Sequence, residues 1–226
     1  MQLLIFPLSF ITSQHTISPL HETLGSSLTI ALPKLASKGT NLTLLVHYST
    51  TSSCSALGWL EASQTKGQKH PYLYSQSQAI HARSLIPSQD TPSIKSTYTA
   101  SVKSTLPVLL SAKRISPAPD ASTPDLGKEV VEYVYEQKVK IPSYLIAIAA
   151  GNLVYKNISK NEQWSTGVWS EPEQIEEAHW EFKEDTEKFV KAAEEITGRK
   201  YDWGVYDVLV LPPAFPYGGV STCLVS

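Results

Sequence analysis

Two amide side chains in the first half of the chain have the spacing of a binding surface. Gln76 and Gln78 lie two residues apart, on either side of Ser77, and alternate residues of a β-strand lie on the same face. Each amide offers both a hydrogen-bond donor and an acceptor, so the pair is suited to binding the backbone of a peptide. The alternative is a polar strand face that hydrogen bonds within its own sheet, and the spacing alone favours this alternative.

A second segment, near the end of the chain, combines prolines with glycines. It is Pro212-Pro213-Ala214-Phe215-Pro216-Tyr217-Gly218-Gly219. Glycine lets a backbone approach a ligand closely, so the segment predicts a ligand-binding loop. A plain turn that ends the preceding strand explains the same residues, and both interpretations stay open.

The common catalytic motifs are missing from the sequence. His21-Glu22 begins like the zinc-binding pattern His-Glu-x-x-His, but Gly25 stands where the second histidine is needed. Gly219 to Cys223 departs from the nucleophile pattern Gly-x-Ser-x-Gly because Cys223 takes the last glycine position. No two of the six histidines are four residues apart. We therefore predict no catalytic residue and no metal ligand in this chain, although a site assembled from distant residues stays open.

Composition excludes several classes of protein. The 226 residues carry a net charge of −2, which excludes a strongly basic nucleic-acid binder, and 42% are hydrophobic, enough to bury a core. Cys54 and Cys223 are too few and too far apart for a disulfide scaffold, which indicates a reducing compartment. The apolar run at residues 3–11 is too short to span a bilayer and has no preceding Lys or Arg, so we expect neither a membrane segment nor a signal peptide.

Hydrophobic alternation with a period of two predicts β-strands as far as about residue 160. An almost continuous apolar stretch at residues 144–150, ended by Gly151, predicts a strand buried on both faces. The other predicted strands have one polar face, which suits antiparallel sheets, and they cover residues 28–32, 42–48, 98–102 and 131–135.

After Trp169 the period becomes helical. Gly198 ends the helical pattern, Glu184-Asp185 divides it into two helices, and residues 206–211 then predict a strand. The change of pattern near Trp169 also indicates a domain boundary. One apolar stripe at helical spacing, as on helices that pack against a core, consists of Ile175, Ala178, Phe182, Phe189, Ala193 and Ile196.

These segments resemble the aminopeptidase family that contains leukotriene A-4 hydrolase. The resemblance covers the chain in order from about residue 20 to residue 219. It includes KHPYLYSQSQAIHAR at residues 69–83 and YDVLVLPPAFPYGG at residues 206–219. The other matching segments are residues 87–100, 141–147 and 168–171.

The resemblance implies a mainly β fold. A saddle-like antiparallel β-sandwich, like the N-terminal domain of aminopeptidase N, would cover residues 21–167, with residues 1–20 unassigned. Residues 168–226 would be a short α/β fragment, the incomplete start of a thermolysin-like zinc peptidase catalytic domain. We expect the strand near Leu209 to have no catalytic-domain sheet to join, and the chain to be poorly stable alone.

The family's activity is zinc-dependent removal of N-terminal residues from small peptides and, in the leukotriene branch, hydrolysis of a fatty-acid epoxide. By position, the substrate-binding residues would be Gln76, Ser77 and Gln78, together with Pro216, Tyr217, Gly218 and Gly219.

The sequence departs from the family after the two glycines, where Val220-Ser221-Thr222 replaces the Met-Glu-Asn whose glutamate holds the substrate's ammonium. The zinc ligands, the general base and the tyrosine would all follow Ser226. We therefore expect the intact family's zinc not to bind this chain, which would be inactive as written. Its expected partners are small peptides, not nucleic acid or membrane, in the cytoplasm. The alternative is a non-catalytic β-domain that binds peptides or a full-length relative.

Overall fold

The computed structural model describes residues 14–32, 37–121, 125–160, 163–216 and the strand at 222–224. Within these residues, no helix has the length and apolar character needed to cross a membrane. The apolar run at residues 3–11 lies outside the described residues.

The first part of the chain forms two packed antiparallel sheets and a separate hairpin. The hairpin pairs β1 with β2, one sheet has the order β3-β4-β9-β6, and the other has the order β5-β8-β7. A short helix, α1 (Ala82–Leu85), follows β4. The strands are β1 (His15–Ile17), β2 (Leu28–Ile30), β3 (Leu57–Leu60), β4 (Tyr72–Ser75), β5 (Lys95–Ser104), β6 (Val108–Leu110), β7 (Lys113–Ser116), β8 (Val131–Pro142) and β9 (Ile148–Ala150). The next strand in the chain, β10 (Val154–Asn157), belongs to a third sheet.

In the sheet with the order β3-β4-β9-β6, called the middle sheet below, β6 and β9 are buried on both faces. β6 and β9 pair directly, and their alternate side chains enter two different cores. Leu109 and Ala149 face the second core. The first core lies between the two sheets and contains Val108, Leu110 and Ile148 from this sheet with Val102, Tyr133 and Tyr135 from the other. Burial on both faces explains why these strands are continuously apolar instead of alternating.

The last part of the chain adds a third sheet and two helices. Its sheet has the order β10-β11-β12-β13, in which β11 and β12 are parallel and both outer pairs are antiparallel. The connection between β11 and β12 runs through α2 and α3, which makes this part an α/β unit. Its elements are β11 (Ser165–Ser170), α2 (Ile175–Phe182), α3 (Thr186–Thr197), β12 (Val205–Leu209) and β13 (Thr222–Leu224).

Alternation along β11 and β12 stacks this third sheet between the middle sheet and α2. Trp169 and Leu209 enter the second core, against the middle sheet. Val168 and Val208 enter a third core, where they meet Ala178 of α2. The mainly β fold with antiparallel sheets followed by a short α/β part is therefore confirmed.

Trp169 makes polar and cationic contacts as well as apolar ones. Its indole N–H donates to Oδ2 of Asp207 at 3.0 Å, and the guanidinium carbon of Arg114 lies 4.6 Å from its ring centroid. Burial raises the pKa of the Asp207 carboxyl, while the indole hydrogen bond, the Gly167 N–H and the Arg114 charge act in the opposite direction. One side chain thus joins β7 of the β-sandwich to β12 of the α/β part.

Two strand predictions in the first part of the chain need correction. Residues 42–48 form no strand, and Leu42 and Leu44 are 45% and 55% exposed, because alternation specifies a strand only where a partner strand is available. The apolar stretch at 144–150 does supply the doubly buried β9, but its first part is a 3₁₀ turn at Ser143–Leu145.

Two predictions about the last part of the chain are also wrong. β12 does join a sheet, because β11 offers it an edge with the register Val168 to Val208. The apolar stripe is only half buried: α3 turns Val190 inward, and Phe189 and Ile196 are 72% and 86% exposed. The domain boundary placed between residues 167 and 168 falls inside β11 and stays a prediction.

We expect the substitution Trp169→Phe to lower the free energy of unfolding by about 2 kcal/mol, because the buried Asp207 carboxyl loses its indole donor. Urea unfolding followed by circular dichroism would measure the change. The matched control is Trp59→Phe, whose side chain is 63% exposed and whose loss should stay within about 0.5 kcal/mol. Equal losses for the two variants would contradict the role assigned to Trp169.

Candidate functional site

The two amides predicted to bind a peptide are displayed at the end of β4. This strand is paired on both sides, with β3 and with β9, so its position is fixed by two neighbours. The pairing continues one residue further, where the Gln76 N–H donates to the carbonyl of Ala56 at 2.8 Å. The predicted shared strand face is not formed, because β4 ends at Ser75 and Gln78 begins a turn. Gln76 and Gln78 are nevertheless both exposed, and Ser77 between them is buried.

One of the two amides also makes a hydrogen bond within its own segment. Oε1 of Gln76 accepts a hydrogen bond from the backbone N–H of Gln78 at 3.1 Å. This is a local contact of the kind that the purely structural interpretation expects. It occupies the carbonyl side of one amide and leaves the side chain of Gln78 exposed on the same surface.

Ser77 lies beneath this surface. Its side chain is only 3% exposed, and its hydroxyl lies 3.4 Å from the carbonyl oxygen of Ile146, to which it donates. Its own carbonyl accepts from the N–H of His81 at 2.9 Å, where α1 is about to begin. This burial argues against a direct contact between the Ser77 side chain and a ligand, and it gives Ser77 the position of an anchor for the two exposed amides.

A buried carboxylate fixes α1 behind the amides. Oδ2 of Asp90 accepts from the backbone N–H and from Nε of Arg83 at 3.0 and 3.1 Å, and Oδ1 accepts from the hydroxyl of Ser143 at 2.6 Å. Burial alone raises the pKa of the Asp90 carboxyl, but the hydrogen bonds from Ser143 and Arg83, with the Arg83 charge, outweigh burial and hold the pKa below its ordinary value.

The proline-rich segment begins where β12 ends. The N–H of Val210 donates to the carbonyl of Trp169 at 2.8 Å, which keeps the chain beside β11 as far as Val210. A turn follows, closed by the N–H of Phe215 on the carbonyl of Pro212 at 3.0 Å. Pro216 is exposed at the end of this turn, and the other predicted residues, Tyr217, Gly218 and Gly219, lie outside the described residues.

An aromatic contact brings the two segments together. The rings of Tyr74 and Phe215 have centroids 4.7 Å apart and planes inclined by 68°, an edge-to-face arrangement. Tyr74 is two residues before Gln76 in the chain, and Phe215 immediately precedes Pro216. The structure thus places the amide-bearing strand end and the proline-rich turn next to each other.

Sequence reasoning missed the residues that hold the two segments in place. Tyr74 and Phe215 were not distinguished from other aromatic residues, and no pattern linked Arg83 to Asp90. A weak signal existed, because Tyr74 shares the alternation of Gln76 and Phe215 lies inside the segment already singled out.

The model of the Peptidase M1 N-terminal domain matches residues 9–145 of the chain. The chain belongs to the peptidase M1 family. It is 47% identical over 206 residues to leucine aminopeptidase 2 of Yarrowia lipolytica, covering 91% of this chain and 29% of that protein. It is 41% identical over 210 residues to the leukotriene A-4 hydrolase homolog of Botryotinia fuckeliana, covering 93% of this chain and 32% of that protein.

Solved structures of M1 proteins agree with this assignment. The structure of native yeast LTA4 hydrolase has a TM-score of 0.74 and 42% sequence identity to this chain, covering 92% of this chain and 30% of that one. The structure of the yeast enzyme in complex with bestatin has a TM-score of 0.73 and 41% identity. The resemblance found in the sequence is confirmed: the chain is homologous to the N-terminal portion of these proteins and spans about 30% of their length.

Aminopeptidases of the M1 family are in general zinc enzymes. In the part of this chain that the structure describes, no three His, Cys, Asp or Glu side chains come together as metal ligands. The described residues therefore do not fit a zinc ion.

We expect Asp90→Asn to lower the free energy of unfolding by about 2 kcal/mol at pH 7, since it replaces a charged acceptor of several hydrogen bonds. The pKa of Asp90 is lower in the folded state than in the unfolded chain, so the ionised carboxyl stabilises the fold above about pH 4, the unfolded pKa. That stabilisation is lost as the pH falls through the folded pKa.

The difference between the wild-type chain and Asp90→Asn should consequently shrink as the pH is lowered from 7 to 3, measured by urea unfolding at each pH. The matched control is Asp125→Asn, because Asp125 pairs with Lys128 on the surface with both side chains more than two-thirds exposed. A difference that is unchanged between pH 7 and pH 3 would show that the carboxylate charge is not what holds α1.

Proposed function

We propose that this chain is the substrate-cradling portion of a zinc metalloaminopeptidase of the leukotriene A-4 hydrolase type, and that it binds the N-terminal end of a small peptide. The observation that carries the proposal is the contact between Tyr74 and Phe215. It brings the exposed amides of Gln76 and Gln78 beside the proline-rich turn, so two segments far apart in the chain form one continuous surface.

The chemistry of this surface suits a peptide backbone. A peptide offers N–H donors and carbonyl acceptors in alternation, and the two glutamine amides offer the complementary groups. Gln76 directly follows a strand that is held by backbone hydrogen bonds on both sides, so little backbone freedom is lost there when a peptide binds. Preorganisation of this kind is typical of sites that must place a scissile bond.

The activity of the whole protein is part of the same proposal. The names of the relatives, leucine aminopeptidase 2 and leukotriene A-4 hydrolase homolog, support hydrolysis of peptides at the N-terminus, with epoxide hydrolysis in the leukotriene branch. In that protein zinc would supply the hydrolytic chemistry and the residues described here would hold and orient the substrate. We place this function in the cytosol, because Cys54 is a free thiol in the first core.

A second candidate function is that of a β-domain without catalysis that binds peptides or a full-length relative. The observation that favours it is the exposed apolar stripe of α3, where Phe189 and Ile196 are available to another protein surface. The first candidate requires peptide binding by Gln78, and so does the second where its ligand is a peptide. They differ in whether the natural protein that carries this segment also hydrolyses peptides, which an assay of the protein isolated from its source would decide.

We expect the chain to bind the peptide Leu-Gly-Gly, labelled with a fluorophore at its C-terminus, in a saturable manner that fluorescence anisotropy can follow. Gln78→Ala should weaken this binding at least about tenfold, the effect of losing one or two hydrogen bonds. The matched control is Gln89→Ala, which removes an exposed glutamine from a loop and should leave the affinity unchanged.

Two results would overturn the proposed function. One is the absence of saturable binding by the folded wild-type chain. The other is binding that survives Gln78→Ala unchanged, which would place the peptide elsewhere on the molecule.

A further inference from the structure

The ring of Tyr74 packs over a glycine of the neighbouring strand, β3. Gly58 of β3 is the direct cross-strand partner of Tyr74. A Cβ placed on Gly58 would be 2.2 Å from Cζ of Tyr74, far inside van der Waals contact. The phenol ring therefore occupies the space that any other residue at position 58 would fill, and glycine there determines where the ring can lie.

On its other side the same ring contacts the proline-rich turn. The edge-to-face contact with Phe215 has a centroid distance of 4.7 Å. Pro212, which starts the turn, is buried, and Phe215 donates its N–H to the carbonyl of Pro212. Gly58, Tyr74 and Phe215 thus form a continuous row that runs from the middle sheet to the turn that follows β12.

We propose that the Tyr74–Phe215 pair is a positioning contact that sets the distance between the amides of Gln76 and Gln78 and the proline-rich turn. Tyr74 belongs to β4, which is paired with a strand on each side. The position of its ring is therefore fixed, and the turn packs against it. The turn is attached to the third sheet through Val210. Tyr74 is a contact between the turn itself and the middle sheet, next to the packing of Leu211 in the second core. Peptide affinity then depends on the Tyr74 ring, although the ring need not touch the peptide.

This inference rests on the proposed function, because its readout is peptide binding. The Tyr74→Leu substitution removes the ring and should weaken binding of labelled Leu-Gly-Gly by about two- to tenfold, the range expected for one aromatic pair. Tyr74→Phe keeps the ring and should retain the wild-type affinity. Rescue by phenylalanine separates the aromatic contact from any role of the Tyr74 hydroxyl.

A double-mutant cycle with Phe215→Leu tests whether the two rings act as one unit. If the pair positions the turn, Phe215→Leu alone should weaken binding by a similar factor, and the double variant Tyr74→Leu/Phe215→Leu should be no weaker than either single variant. A general loss of stability would not produce such coupling in the binding constants. Urea unfolding of each variant verifies that the protein measured is folded.

The outcomes separate this inference from the proposed function. Failure of the wild-type chain to bind the peptide would overturn the proposed function. Wild-type binding that Gln78→Ala weakens, together with an unchanged affinity in Tyr74→Leu or with fully additive effects of the two leucine substitutions, would overturn the positioning role and leave the function standing. If Tyr74→Leu does not fold, Phe215→Leu, in a half-exposed turn, carries the same test, and unchanged affinity in that variant overturns the positioning role.

Discussion

The pairing of β11 with β12 around Trp169 is the constraint on which the rest of the structure depends. Parallel pairing gives β12 its register, and the contacts of Trp169 with Arg114 and Asp207 bind that pair to the β-sandwich. Without this pairing and these contacts the start of the proline-rich turn would not be fixed, because the turn directly follows β12. The second core reinforces the arrangement, since Leu209 of β12 packs with Leu109 and Ala149 of the middle sheet. The geometry of the candidate site therefore depends on how the third sheet packs against the β-sandwich.

Two buried acids show how differently the fold treats negative charge. Asp90 is surrounded by donors and a guanidinium, which lower its pKa despite burial, and it fixes the helix behind the amides. Asp207 has fewer compensating contacts, and burial raises its pKa. The ionised form of Asp90 stabilises the fold, whereas the environment of Asp207 favours the protonated form. Lowering the pH thus weakens the attachment of α1 by protonating Asp90. Protonation of Asp207 beside Trp169 instead removes a buried negative charge.

Sequence patterns predicted most of the strands and helices. They missed the features that depend on which other elements pack nearby in the fold. Alternation located the cores of β5 and β8, and the apolar stretch before Gly151 indicated double burial for β9. The same alternation was wrong for residues 42–48, because no strand edge is available there. Helical spacing was correct for α2 and α3, but it could not show that α3 buries Val190 instead of Phe189. The glutamine pair and the proline-rich segment could be found by resemblance, whereas the Tyr74–Phe215 contact follows from tertiary packing alone.

The structural and the functional interpretations of the glutamine pair are compatible. Oε1 of Gln76 accepts from the Gln78 N–H, which is the local role that the spacing favours. This bond orients the Gln76 amide and leaves its NH₂ group without a partner in that contact. The NH₂ donors of Gln76 and the whole amide of Gln78 remain on an exposed surface. Ser77 between them is buried, and its hydroxyl donates to the carbonyl of Ile146, which anchors the segment. A local hydrogen bond that fixes side-chain direction lowers the entropy that a ligand must remove on binding, and it therefore favours a binding role for the same residues.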